Sequence, residues 1–362
     1  MYNKIVIKVG SNVLARADGH LDITRISSLV DDIAELRRAG KDVILVTSGA
    51  VAAGRSELHP AHKLDPVSAR QLYSSVGQAK LINRYYEFFR DHGMRCGQVL
   101  TMKESFSTRL HYLNQKHCME VMLENGVVPV VNENDTVSVT ELMFTDNDEL
   151  SGLVASMMDM DVLVILSNID GVYDGNPSDP ASQVIPEISP NEQLSADSIV
   201  QQSKSSFGRG GMGTKFRIAR KVADEGIAVI IANGKREHVL SDLLLREADV
   251  PHTLFVPSAR PVSSVKKWIA HSEGFAKGEL HINRGAYEAL VSNQASSLLP
   301  VGVVRVDGDF EKDDIVRIVG PDGHPFAVGR ISCDSNEART RIGEQGGKPL
   351  VHYNYLCVES LD

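Results

Sequence analysis

Five short runs in the first two thirds of the chain are apolar and rich in β-branched residues: 4–10 (KIVIKVG), 42–49 (DVILVTSG), 126–134 (GVVPVVNEN), 161–168 (DVLVILSN) and 227–234 (IAVIIANG). Their length and their Gly and Asn ends predict buried strands. Between them the apolar spacing becomes helical. In 25–40, Ile26, Leu29, Val30, Ile33 and Leu36 fall on one helical face and Gly40 ends the pattern. Segments 69–93 and 214–226 repeat it. Strands alternating with helices predict βαβ units, hence an α/β fold: a three-layer α/β/α sandwich around a mostly parallel sheet. In such sheets ligands bind beyond the carboxyl ends of the strands, so the loops after each strand are where chemistry is expected.

The character changes near residue 250. The stretch 249–270 holds Pro251, Pro257 and Pro261 and the only tryptophan, Trp268, and reads as a connection that packs. Beyond Lys277 come short strand-like pieces, with PDGH (321–324) as a hairpin signal. The expected organisation is an α/β domain over 1–255, a connecting segment over 256–274 and a small β-rich domain over 275–362. A length of 362 residues, long for one core, agrees with two domains.

The formal net charge of −9 argues against a protein built mainly to hold nucleic acid. Cys96, Cys118, Cys333 and Cys357 form no C-x-x-C pair, so no cysteine metal site or disulfide framework is signalled and reduced thiols are expected. Lys4 and Lys8 interrupt the N-terminal apolar run, and no run has the length of a membrane span, so a cytoplasmic protein is expected.

Polar residues sit at each strand end. Lys8 lies within an apolar run, where an ammonium is costly unless it meets an anion. It reads either as an edge-strand lysine turned to solvent or, with Gly10 behind it, as a phosphate contact. Ser48, Gly49 and Ala50 suit an ordinary N-cap serine or an anion held at a helix start. Asn132, Asn134 and Asp135, then Asp146, Asn147 and Asp148, form two clusters of the kind found in solvated turns. Asp accepts from an ammonium and Asn both donates and accepts, which also suits the α-amino and α-carboxylate groups of an amino acid. Metal binding is a further alternative, on the weak signal of the D-x-D spacing at Asp146 and Asp148 and without an EF-hand pattern. The loop 166–180 (LSNIDGVYDGNPSDP) reads as a long turn or as a cradle for a nucleotide base and ribose.

The stretch FGRGGMGTKFRIA (207–219) nearly spells a P-loop, with Gly208 and Gly213 correctly spaced, but Thr214 precedes Lys215. A P-loop follows a strand, whereas the preceding IVQQSKSSFG is polar. What remains is glycine-rich backbone leading into a helix whose first turn holds Thr214 and Lys215, a place of positive potential. The alternative is a flexible loop capped by a threonine.

The segments IVIKVGSNVL, VILVTSGAVAAGR, QAKLI, PVVNENDTV, TDNDELSGLVA, SNIDGVYDGNP and GRGGMGTK, in this order, resemble the glutamate 5-kinases of the amino-acid kinase family, and the tail resembles a PUA domain. The resemblance implies phosphorylation of the L-glutamate side-chain carboxylate by ATP with Mg²⁺, the first step of proline synthesis. It also implies inhibition by proline and a homo-oligomer, dimer or tetramer. On this resemblance Lys8 and Lys215 contact the transferring phosphoryl group and Asp148 orients them. Ser48, Gly49, Asn132, Asp135 and Asn147 hold glutamate. Lys8, Ser167, Asn168, Arg209, Gly210, Gly211, Met212, Gly213, Thr214 and Lys215 hold ATP. The chain departs from the family pattern at Thr145, where glycine is frequent, at Ser167-Asn168, where Thr-Asp is common, and at Arg209, where a small hydroxyl residue is usual.

This chemistry needs no strong general base, because a free carboxylate with pKa ~4.3 is already ionised at neutral pH. No histidine falls in the matched segments. Two alternatives remain: a related kinase acting on another carboxylate or phosphate, and an RNA-binding protein acting through its tail. Residues 277–362 hold nine Lys and Arg against thirteen Asp and Glu. Such a module binds phosphate backbones poorly, and a structural or regulatory role in assembly is expected instead.

Overall fold

The structure, a computed structural model, describes residues 2–106, 108–138, 146–190, 211–246, 248–259, 264–292 and 296–358. The chain divides into two units, Met1–Ser105 with Leu113–Pro261, and Phe106–Tyr112 with Val262–Asp362.

The first unit holds strands β1 (Lys4–Val9), β2 (Asp42–Val46), β3 (Arg95–Thr101), β4 (Val127–Glu133), β5 (Val162–Ser167), β6 (Glu187–Ile188), β7 (Ala228–Asn233) and β8 (His252–Phe255) in one sheet, ordered β3-β4-β2-β1-β5-β7-β8-β6. The first six in that order are parallel; β8 runs antiparallel to β7, and β6 runs parallel to β8. The helices are α1 (Ser11–Leu14), α2 (Ile23–Arg38), α3 (Ala50–Arg55), α4 (Pro66–Asp91), α5 (Arg109–Glu124, whose residues up to Tyr112 fall in the second unit), α6 (Asn147–Met157), α7 (Met212–Asp224) and α8 (Val239–Leu244). The mostly parallel sheet is as the apolar runs predict. Strand β3 and helix α5 escaped the sequence reading. β3 is an edge strand with only Val99 and Thr101 buried, so it lacks a continuous apolar run.

Side-chain alternation along β1 positions the site. Ile5, Ile7 and Val9 pack with Ile26, Val30 and Ile33 of α2 and with Leu81, Tyr85 and Phe89 of α4. Lys8, one residue out of phase, belongs to the opposite face, where α6 packs on β1. Two close backbone approaches set the loops. A Cβ on Gly77 of α4 would lie 1.8 Å from the Ala50 carbonyl oxygen, and one on Gly54 1.8 Å from that of Tyr73. Helices α3 and α4 therefore touch backbone to backbone and seat the Ser48–Ala50 turn. On the other face, a Cβ on Gly152 of α6 would meet Ile218 at 2.9 Å and Val222 at 3.0 Å of α7. One turn earlier, Asp148 of α6 faces Lys215 of α7. The two helices thus run in the same direction with adjacent N-termini.

The second unit holds helices α9 (Ser264–Ala270), α10 (Arg284–Val291) and α11 (Ser335–Thr340). Its strands β9 (Gly278–Ile282), β10 (Val303–Gly308), β11 (Ile315–Val319), β12 (Pro325–Ile331) and β13 (Val351–Val358) are ordered β10-β9-β11-β12-β13. The PDGH turn joins β11 to β12, with Gly320 N–H donating to the His324 carbonyl at 2.9 Å. Leu280, Ile282, Phe310, Val316, Ile318 and Phe326 contribute to a separate core. Trp268 is buried and its indole N–H donates to the Phe106 carbonyl at 3.1 Å. Among the described residues no helix is long and apolar enough to cross a membrane.

Candidate active site

Three charged side chains from separate elements converge in the first unit. Lys8 comes from the central strand β1, Asp148 from the first turn of α6 and Lys215 from the first turn of α7. All three are buried. Lys8 Nζ pairs with Asp148 Oδ1, and Lys215 Nζ lies 3.0 Å from Asp148 Oδ2. One carboxylate thus serves both lysines, one on each oxygen. A buried ammonium without a counter-charge costs several kcal/mol, so Asp148 stabilises both. The trio keeps a net charge of one positive unit. Burial opposes ionisation of Asp148, but the charges of Lys8 and then Lys215 outweigh it and hold the carboxyl below its usual range.

Asp146 caps α6, its Oδ1 accepting from the N–H groups of Asp148 at 2.8 Å and Glu149 at 3.1 Å. Its Oδ2 is buried and has no hydrogen-bond partner among the described residues. Burial, then the neighbouring Asp148 charge, push this carboxyl up to about 6. Sequence reading placed Asp146 in a polar cluster without giving it a role; the D-x-D spacing at a helix start was the available signal.

A hydrogen-bonded patch lies beside the trio. Asn147 Nδ2 donates to the Thr47 carbonyl at 2.7 Å and lies 2.9 Å from Asn132 Oδ1 and 3.0 Å from Ser48 Oγ. Asn132 Nδ2 donates to Gln78 Oε1 at 2.8 Å. This joins the ends of β2 and β4, the start of α6 and the middle of α4, and brings together Ser48, Asn132 and Asn147. Gly49 follows at φ 101°, a left-handed conformation that favours glycine, and starts α3. Asp135 stands apart: the Arg70 guanidinium holds it, with Nε at 2.8 Å, and also reaches Glu133 at 3.0 Å. Asp135 helps line a cavity of about 290 Å³ with Ser74, Gln78, Gln98, Glu133 and Thr136, which Lys8, Asp148 and Lys215 do not line. Arg70 carried no sequence signal, and Gln78 and Glu133 fell within matched segments without being given a role, because α4 meets the end of β4 only in the fold.

The loop after β5 is tied down separately. Ser167 is buried and Asn168 exposed. Asn233 Nδ2 and Arg236 Nε donate to Asp170 Oδ1 at 3.1 and 2.9 Å, and Gly234 N–H donates to the Ser167 carbonyl at 2.8 Å. Gly211 caps α7 without a side-chain bond, leaving Met212, Gly213, Thr214 and Lys215 in its first turn, as the glycine-rich reading expects. Arg209, Gly210 and Thr145 lie outside the described residues.

Comparison with known proteins agrees with this architecture. The amino acid kinase family matches residues 3–233, and the PUA domain matches residues 278–349. A glutamate 5-kinase of Bacteroides thetaiotaomicron is 65% identical over 358 residues, 99% of each chain. A glutamate 5-kinase of Chlorobaculum tepidum is 46% identical over 361 residues, 98% of this chain and 97% of the other. The structure of a Giardia lamblia carbamate kinase bound to AMP-PNP superposes with a TM-score of 0.51 at 16% identity, over 71% of this chain and 99% of that one, a likeness of fold. The chain belongs to the amino acid kinase family, among the glutamate 5-kinases, and carries a PUA domain after its kinase region.

Proposed function

We propose that the chain transfers the γ-phosphoryl group of ATP to the side-chain carboxylate of L-glutamate, giving L-glutamyl 5-phosphate and ADP, the first step of proline biosynthesis in the cytoplasm. The observation that carries this reading is the buried Lys8–Asp148–Lys215 trio beside the Ser48–Asn132–Asn147 patch. A carboxylate oxygen attacks the γ-phosphorus as the bond to the β–γ bridging oxygen breaks. Both partners are anions, so positioning and charge neutralisation dominate catalysis. Lys8 and Lys215 supply the positive charge, and Asp148 fixes where their ammonium groups point. An ammonium has three donors, so its bond to Asp148 does not exhaust either lysine. The N-termini of α6 and α7 add positive potential on the same side.

Ser48, Gly49, Asn132, Asp135 and Asn147 hold glutamate in this reading, and Asp146 adds a buried carboxylate oxygen with no hydrogen-bond partner among the described residues. Ser167, Asn168 and the residues from Arg209 to Lys215 hold ATP. Mg²⁺ fits the charge of the phosphates. Because the lysines occupy both oxygens of Asp148, phosphate oxygens and water would hold the ion, with Asp146 as the available carboxylate. Bound there, it would neutralise phosphate charge. Proline inhibition at the glutamate site and assembly into a homo-oligomer belong to the same proposal.

An ATP assay with hydroxylamine tests the reading, since an acyl phosphate is trapped as its hydroxamate. Glutamate is expected to give hydroxamate and ADP together, with aspartate and N-acetylglutamate far slower. ADP release with no hydroxamate from any of the three contradicts acyl phosphate formation.

A further inference from the structure

The second unit carries a cluster that the kinase reading does not use. Glu279 and His281 lie two residues apart on β9, so they share one face of the sheet, opposite the buried Leu280 and Ile282. Asp307 on β10 is the cross-strand partner of Glu279, and Arg305 that of His281. One ligand atom from each of Glu279, His281 and Asp307 lies within 4.8 Å of the others. His281 Nε2 is 2.9 Å from Asp307 Oδ2 and 3.7 Å from Glu279 Oε2. Ligands on tetrahedral zinc, with bonds near 2.0 Å, stand about 3.3 Å apart, between these two values.

The hydrogen bonding of the cluster is frustrated. Arg305 NH2 lies 2.7 Å from Asp307 Oδ2 and 2.7 Å from His281 Nε2. His281 Nε2 is thus hydrogen-bond distance from a guanidinium donor and from a carboxylate acceptor. A single ring nitrogen satisfies one of them in any one protonation state. A cation seated among the three side chains in place of the guanidinium removes the conflict: Nε2 and both carboxylates then all donate lone pairs. Glu279 is oriented for this, because its Oε1 faces Arg317 at 3.5 Å while Oε2 turns toward His281. Arg305 is 63% exposed and can leave for solvent.

We propose that Glu279, His281 and Asp307 bind a divalent transition-metal ion of the zinc class in exchange for the Arg305 guanidinium, pinning edge strand β10 to β9. A neutral imidazole and two carboxylates match the charge of such an ion. One nitrogen among three ligands favours Zn²⁺ or Co²⁺ over Mg²⁺, which prefers an all-oxygen octahedron. Three protein ligands leave a fourth position for water.

The test is titration of the full-length chain, without nucleotide, with ZnCl₂ by calorimetry and with CoCl₂ by visible absorption. One site with micromolar affinity is expected, with tetrahedral Co²⁺ bands and no thiolate charge-transfer band. His281→Ala should weaken Zn²⁺ binding by more than ~100-fold, beyond the usual cost of losing an outer-shell partner. Asp307→Asn, at a half-exposed position, checks the result independently of folding. Arg305→Ala should tighten binding several-fold, whereas a purely ionic network predicts no gain. Equal Zn²⁺ binding by the wild-type chain and both ligand variants, no binding by the wild-type chain, or weaker binding by Arg305→Ala would overturn the proposal.

Discussion

Asp148 is fully buried between lysines whose side chains are 5% and 10% exposed, whereas Asp307 and Arg305 in the second unit are 45% and 63% exposed. Both regions pair carboxylates with cations at short distance, yet the same contacts carry different weight. In the first, desolvation makes each charge depend on its partner, so the arrangement is rigid and geometrically defined. In the second, water screens each pair and a partner can be exchanged at small cost. A transferring phosphoryl group requires the first kind of environment, and reversible binding of an ion tolerates the second.

The largest way to break this contrast is Asp148→Ala. It leaves two buried ammonium groups without a counter-charge and should lower the stability of the kinase unit by about 3–5 kcal/mol. Urea unfolding at neutral pH measures it; an unchanged midpoint would mean that the lysines are solvated. A smaller effect is expected at Asp146. Its folded pKa, about 6, lies above its ordinary value, so the folded state binds the proton more tightly and stability falls as pH rises through that window. Asp148 has the opposite sign: its contribution is present above the ordinary carboxylate range and is lost as pH falls below it. Between pH 4 and 8 the Asp148 contribution is therefore shared. Asp146→Asn, which keeps the capping oxygen, should be more stable than wild type at pH 8 and equal to it near pH 4. Denaturation at the two pH values checks this, and a difference independent of pH would contradict it. The smallest effect belongs to the exposed Arg284–Glu288 pair of α10, at 3.0 Å. Arg284→Ala should change stability by less than about 0.5 kcal/mol, measured the same way, despite that short distance.

Much of the fold is legible in the pattern of apolar runs. β1, β2, β4, β5 and β7 are central strands, buried on both faces, and so read as continuous hydrophobic stretches. β3 has only half of that signal, and α5 (RLHYLNQKHCMEVMLE) mixes polar with apolar residues. At the candidate site, a lysine within a buried strand and a lysine after a glycine run stand out by residue type. Arg70, Gln78 and Glu133 do not, because their meaning depends on α4 crossing the end of β4. The cluster on β9 and β10 is hidden for the same reason: Asp307 is distant in sequence from Glu279 and His281, and only strand pairing joins them.

The central claim is that the lysines of the buried trio neutralise charge during phosphoryl transfer, and Lys215→Ala tests it most directly. Lys8 remains to pair Asp148, so the variant should fold. Steady-state turnover with ATP and glutamate should fall by about 10²–10³-fold, as for loss of one transition-state donor, with a wild-type circular dichroism spectrum. Near-normal turnover in a folded Lys215→Ala enzyme would contradict the account.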